Sequence, residues 1–117
     1  MREIIFYRTV KNKIPVEEFF ESLSDKQVEK ILWVLRLIKQ LERIPIEYFK
    51  KLEGTNDIWE VRASSGNNEF RLLGFWHQSN FIVLTNGFRK KSQKTPKSEI
   101  KVAESRKKDF LERKSNG

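Results

Sequence analysis

The chain has no cysteine, so disulfides and thiolate metal sites are excluded. It has a single histidine, His77, which argues against both a zinc centre and a Ser-His-Asp triad. Its glycines at 54, 66, 74 and 87 stand alone, so there is no glycine-rich phosphate loop. No segment approaches the roughly 20 apolar residues of a membrane span, and the apolar stretch near Met1 is too short for a secretory signal. A cytoplasmic location is therefore expected. No two carboxylates are spaced as a Mg²⁺ pair near the basic region, so neither metal nor cofactor is expected.

What is present fits one small domain spanning residues 1–117. Hydrophobic residues make up 38% and aromatics 12%, enough for a single core and too much for a disordered chain. The net charge is +8, and its placement is uneven. Residues 1–86 carry 13 Lys/Arg against 12 Asp/Glu, whereas residues 87–117 carry 11 against 4. Such a basic end is the electrostatic footprint of a polyanion partner, usually nucleic acid; a lysine-rich solvated helix would give the same count.

The periodicity sets the order of elements. REIIFYR (2–8) reads as a strand. Pro15 opens a short amphipathic helix carrying Val16, Phe19, Phe20 and Leu23. Ser24 caps a longer helix running to about Arg43, with Val28, Ile31, Leu32, Leu35, Ile38 and Leu41 as its apolar face. Three strands follow: Ile58 to Ala63, Glu69 to His77 and Asn80 to Phe88, joined by SSGNN and QSN turns as an antiparallel meander. Thr95 caps a last helix with Pro96 first, and Ile100, Ala103, Phe110 and Leu111 line one side of it. This predicts an α+β domain with helices on one face of the sheet and a free, polar opposite face.

Alternation along the strands puts Glu60 and Arg62 opposite the apolar set Trp59, Val61 and Ala63. Arg71 faces the same way as Leu73, Phe75 and His77. Arg62 and Arg71 flank the SSGNN turn and so become neighbours across a hairpin, where like charges repel unless an anion or carboxylate intervenes. Glu60 or Glu69 could answer Arg62, and Glu47 or Glu53 could answer Arg71. The third strand ends in Arg89, Lys90 and Lys91, with Lys94 close behind. These cations should converge with Arg71 on a phosphate-bearing ligand, with Phe88 and Phe75 available for stacking or for the core. Chemistry on such a surface needs RNA, whose own 2′-OH supplies the nucleophile.

The runs KKLEGTNDIWEVR, NNEFRLLGFW and NGFRKKSQKTPKSEIKVAESR resemble the phage-derived, HigB-like branch of the RelE/ParE toxin superfamily. The likeness covers roughly residues 2 to 113. It implies two N-terminal helices on a small antiparallel sheet, followed by a basic C-terminal helix. It also implies a type II toxin that cleaves mRNA in the ribosomal A site without a metal. The implied partners are mRNA on the ribosome and a cognate antitoxin, usually of the helix-turn-helix kind. Carried over by position, it favours Arg62, Arg71, Arg89, Lys91 and Lys94 as active-site candidates; of these Arg62, Arg71, Lys91 and Lys94 are expected to be catalytic, while Arg89, with Lys90 and the stacking candidate Phe88, is expected to bind RNA. Lys90 and Lys91 both match its K-K pair, and parity alone does not decide which faces substrate. The chain lacks a tyrosine near the C-terminus, so Lys91 or Lys94 stands in as proton acceptor. On this reading Arg71→Ala abolishes growth arrest and leaves the fold intact. A gyrase-inhibiting toxin of the ParE kind, or a non-enzymatic binder gripping nucleic acid through lysines 97, 101, 107 and 108, are the alternatives.

Overall fold

A computed structural model describes residues 1–116; Gly117, the end of the KSNG tail, lies outside the described residues. The chain forms β1 (Glu3–Phe6), α1 (Pro15–Glu21), α2 (Asp25–Gln40), β2 (Phe49–Lys51), β3 (Trp59–Ser65), β4 (Asn68–His77), β5 (Phe81–Arg89) and α3 (Lys97–Asn116). The α+β class is present, and the order expected from periodicity holds with one strand added, β2.

Local chemistry fixes the helix ends. Ser24 and Gln27 form a reciprocal capping box: the Gln27 amide donates to Ser24 Oγ at 3.2 Å and the Ser24 amide donates to Gln27 Oε1 at 3.0 Å. The expected extension of α2 to Arg43 does not occur. Leu41 is already extended, and the Arg2 guanidinium bonds the carbonyls of Ile38, Leu41 and Glu42, occupying the last acceptors of the helix. The buried stripe of α2 is Ile31, Val34, Leu35 and Ile38, whereas Leu32 and Leu41 are exposed. On α3, Ala103 is fully buried and Leu111 is exposed, contrary to its assignment to the apolar side.

The sheet order is β1-β5-β4-β3-β2, and the ladder is mixed: β1 runs parallel to β5, with Glu3 opposite Phe81, while the other pairs are antiparallel. A parallel neighbour needs a long crossover, supplied here by everything between β1 and β5. The short β2 has no pattern long enough to read in sequence. Its loop is built by Thr55, whose hydroxyl donates to the Leu52 carbonyl at 2.7 Å and accepts from the Ile58 amide at 3.1 Å, beside Gly54 at φ +72°. The L-x-G-T-x-x-x-W run is thus a loop device, delivering Trp59 to stack on Phe49 at 4.9 Å.

Helices cover both faces, which corrects the expectation of one free face. α1 and α2 pack Val16, Ile31, Val34 and Ile38 against Val61, Phe70, Leu72, Ile82 and Leu84. α3 crosses the opposite face, where Ala103 and Ile100 meet Ile58 and Leu73, and Phe110 meets Phe75 and Val83. The open surface is confined to the end of the sheet near the β3–β4 turn and the end of β5.

A β-bulge decides what that end presents. The register steps from Leu73↔Asn86 to Gly74↔Leu84, leaving Thr85 as an extra residue on β5. Without it, Val83, Gly87 and Arg89 would share a face by alternation. With it, Asn86 points to α3, its amide donating to Glu99 Oε1 at 2.9 Å, and Phe88 packs beside Leu73 and Ala103. Gly87 turns to the α1 side, where a Cβ would come within 2.5 Å of the Phe19 ring and 2.6 Å of Leu72. Opposite the bulge, a methyl on Gly74 would overlap the Val83 carbonyl oxygen, a backbone atom that cannot rotate away. Gly74→Ala is therefore expected to cost about 3 kcal/mol, as overpacking of a closed site does. Thermal unfolding of the variant checks this, and an unchanged midpoint would contradict the bulge geometry.

Candidate functional site

Arg62 and Arg71 lie directly opposite one another in the β3–β4 ladder, as the hairpin predicts. Two carboxylates resolve their repulsion: Glu60 answers Arg62 as expected, whereas Arg71 is answered by Glu60 and Glu69. Glu60, 3% exposed, bridges both: its Oε1 lies 3.5 Å from Arg71 Nε and 3.6 Å from Arg62 Nε. Glu69 Oε1 accepts from Arg71 Nη2 at 2.7 Å, and Arg71 Nη1 donates to the Phe70 carbonyl at 3.0 Å. Glu47 and Glu53, the partners expected for Arg71, make no ion pair with it among the described residues; Glu47 lines a cleft that Arg71 also lines, and Glu53 lines the one holding Lys94. Thr95 does not serve its helix as a cap. Its hydroxyl donates to Glu60 Oε2, tying the start of α3 to β3.

The pairing to Glu60 is electrostatic only. Both Nε atoms are buried and have no hydrogen-bond partner among the described residues, because 3.5–3.6 Å is too long for one. Two buried donors thus remain short of acceptors beside a cluster of cations. The Arg71 side chain is only 3% exposed, while that of Arg62 is 33% exposed. Arg71 is therefore the floor of the site and Arg62 its wall. Replacement of Arg71 is therefore expected to weaken the fold, where the sequence alone suggested an intact one, since Glu60 would lose its buried cation.

The bulge places Lys90 on this same side. Its backbone amide donates to the Glu69 carbonyl at 2.8 Å, extending the ladder past β5. Burial, and then the Arg71 guanidinium, push the Lys90 pKa below its ordinary value, with Glu60 pulling the other way. Glu69 is held below the usual carboxylate range, chiefly by its hydrogen bond from Arg71.

Three contiguous clefts share Arg62. The central one, ≈ 550 Å³, is lined by Arg71, Glu69, Asn67, Lys90 and Lys91. A second, ≈ 270 Å³, adds Lys50, Glu60, Lys94 and Thr95. A third, ≈ 330 Å³, passes round the free edge of β3 to Lys30, Trp33 and Tyr48. Arg62, Arg71, Lys90, Lys91 and Lys94 are thus gathered along one continuous surface.

Arg89 and Phe88 are not part of it. Arg89 lies on the α1–α2 side, its guanidinium 5.6 Å from the centre of the Phe70 ring and 3.3 Å from Asn68 Oδ1. Phe88 packs beside Ile58 and Leu73, and Phe75 is fully buried. His77, at the far end of β4, packs edge-on to Phe110 at 5.1 Å. Tyr7 is buried away from the clefts, donating to Asp109 Oδ2 at 2.6 Å. The sequence reading missed Lys30, Trp33 and Tyr48 altogether. Trp33 falls beside the buried stripe of α2, and an off-stripe aromatic was the available signal.

Much of the C-terminal block is structural as well as basic: Gly87 admits Phe19, Thr95 holds Glu60, Glu99 holds Asn86, and Ala103 lies flat on Leu73. Among the described residues, no three His, Asp or Glu side chains come together as a metal ligand set, and no helix is long and apolar enough to cross a membrane. No curated protein matches the chain. A family model described as "Phage derived protein Gp49-like" matches residues 18–108, a span holding all the residues that line the clefts around Arg62. The chain belongs to this phage-derived, Gp49-like family.

Proposed function

We propose that the protein is the toxin of a type II toxin–antitoxin pair and a ribosome-dependent mRNA endonuclease that needs no metal. The Gp49-like family membership and the resemblance to HigB-like toxins support the toxin reading. The observation that carries the enzymatic reading is Lys90, a lysine with a depressed pKa set beside two arginines whose buried Nε donors lack hydrogen-bond acceptors.

In this scheme Arg62 binds the non-bridging oxygens of the scissile phosphate. Neutral Lys90 accepts the proton of the 2′-OH, whose oxygen attacks the adjacent phosphorus. The P–O5′ bond breaks, and Lys91 or Lys94 returns a proton to the departing oxygen. The products are a 2′,3′-cyclic phosphate and a 5′-OH. Arg71, buried under Glu60 and Glu69, holds the carboxylates in place and adds positive potential from below. A helix-turn-helix antitoxin is the proposed protein partner, and rRNA contacts fall to the lysines and arginines of α3.

The test is primer extension on a defined mRNA in a purified translation system. Cuts are expected at A-site codons, only with ribosomes, and with 5′-OH ends. The single-turnover rate should rise with pH until it passes the depressed Lys90 pKa, because the base is the neutral form. Lys90→Met should remove that rise. Intact mRNA on ribosomes programmed with the wild-type protein would sink the proposal.

A further inference from the structure

β2 stops pairing before β3 ends. Phe49 lies opposite Val61, and the last bond on that side runs from the Arg62 amide to the Tyr48 carbonyl at 2.8 Å. β3 continues to Ser65, so residues 63–65 form a short unpaired edge. N–H and C=O groups of alternate residues in an antiparallel ladder point to alternate sides. With Arg62 bonded towards β2, the backbone of Ser64 points the same way, into open space.

Across that gap stands Trp33 of α2, 38% exposed. Tyr48 packs edge-on against it, with ring centres 5.8 Å apart and planes at 87°, which fixes the indole orientation. Lys30 Nζ lies 4.6 Å from the ring centre. The ≈ 330 Å³ cleft that these residues line also contains Arg62, Arg71 and Ser64, so it is continuous with the phosphate site. Its size falls within the range of small-ligand sites, about 300–1,000 Å³. Beyond Trp33 the groove is flanked by Lys26 and Arg36, with Glu29 the single carboxylate there.

A ring face, a strand edge with free donors and acceptors, and a cationic margin match the three parts of a single-stranded nucleotide: base face, base edge and phosphate. We propose that Trp33 and the Ser64 backbone form a nucleobase subsite for the nucleotide next to the scissile phosphate, and that this subsite sets the sequence preference of the protein. The proposal rests on the RNA reading of the Arg62 cleft. Lys30, whose ammonium rests 4.6 Å from the indole centre, is the cation placed to meet the phosphate of that nucleotide. A peptide added as a strand is the poorer occupant, because three residues of free edge offer too little ladder.

The experiment titrates the full chain into 5′-fluorescein-labelled 2′-O-methyl tetranucleotides, which cannot be cut through the 2′-OH, and reads fluorescence anisotropy, a signal that the variants retain. Wild type is expected to bind with a preference among bases. Trp33→Phe should bind within a few-fold of wild type, and Trp33→Ala about tenfold more weakly with the preference flattened. Ser64→Pro removes the edge N–H without costing a ladder bond, and should change the preferred base while retaining affinity. Unaltered affinity and preference in Trp33→Ala, or no binding of any tetranucleotide by wild type, would overturn the subsite; the latter result would hand the edge to a protein partner. The two readings fail separately. A wild type that binds these oligonucleotides but leaves ribosomal mRNA intact defeats the nuclease and keeps the subsite. A Trp33→Ala variant that cuts with wild-type rate and codon pattern defeats the subsite and keeps the nuclease.

Discussion

Arg62→Ala should lower cleavage on programmed ribosomes by about 10²–10³-fold, the usual loss when one preorganised donor to a developing oxyanion is removed. Stability should hardly change, because Arg62 is 33% exposed and its one ion pair among the described residues, to Glu60, is long at 3.6 Å. An interaction of that kind contributes at most about 1 kcal/mol, so the midpoint should move by only a few degrees. Single-turnover primer extension paired with a thermal melt measures both quantities. Arg62→Lys keeps the charge and loses the planar fork, so it should retain part of the rate. Wild-type cleavage by a folded Arg62→Ala protein would remove the phosphate role from the residue shared by all three clefts.

Arg71→Ala should act on the fold itself. It removes the guanidinium bonded to Glu69 at 2.7 Å and lying 3.5 Å from the buried Glu60. Breaking a buried pair from one side typically costs 3–5 kcal/mol, so a loss of about 3 kcal/mol is expected. For a domain of this size that lowers the melting midpoint on the order of 10 °C. A compensating Glu60→Leu in the Arg71→Leu background should recover much of the loss, since the stranded charge goes with its partner. There is also a signature in pH. The Glu69 pKa is depressed mainly by the Arg71 hydrogen bond, so its stabilisation is present above the unfolded-state pKa and fades as pH falls through the lower, folded value. Arg71→Ala should lose this acid limb. A variant that melts with wild type would show that the cluster holds nothing together. Loss of growth arrest in Arg71→Ala alone therefore reports folding as much as chemistry, which makes Arg62 the cleaner probe.

The sequence by itself determined most of the elements and one central pairing. Ser24 announced α2, Pro15 announced α1, and the SSGNN turn set Arg62 against Arg71, because these signals act over a few residues of backbone. It also determined that the positive charge gathers after β5. Which cation enters the site was decided only by tertiary structure. Side-chain parity is exact within an unbroken ladder, and one unpaired residue reverses it. Thr85 is that residue, fixed by how β5 pairs across Gly74, so Lys90 faces Arg71 and Arg89 faces Phe70. The partner of Glu60, the second face covered by α3, and the gap left where β2 ends were likewise settled by contacts between segments far apart in the chain. Periodicity reports which side of an element is apolar; it carries no term for what comes to lie against that side.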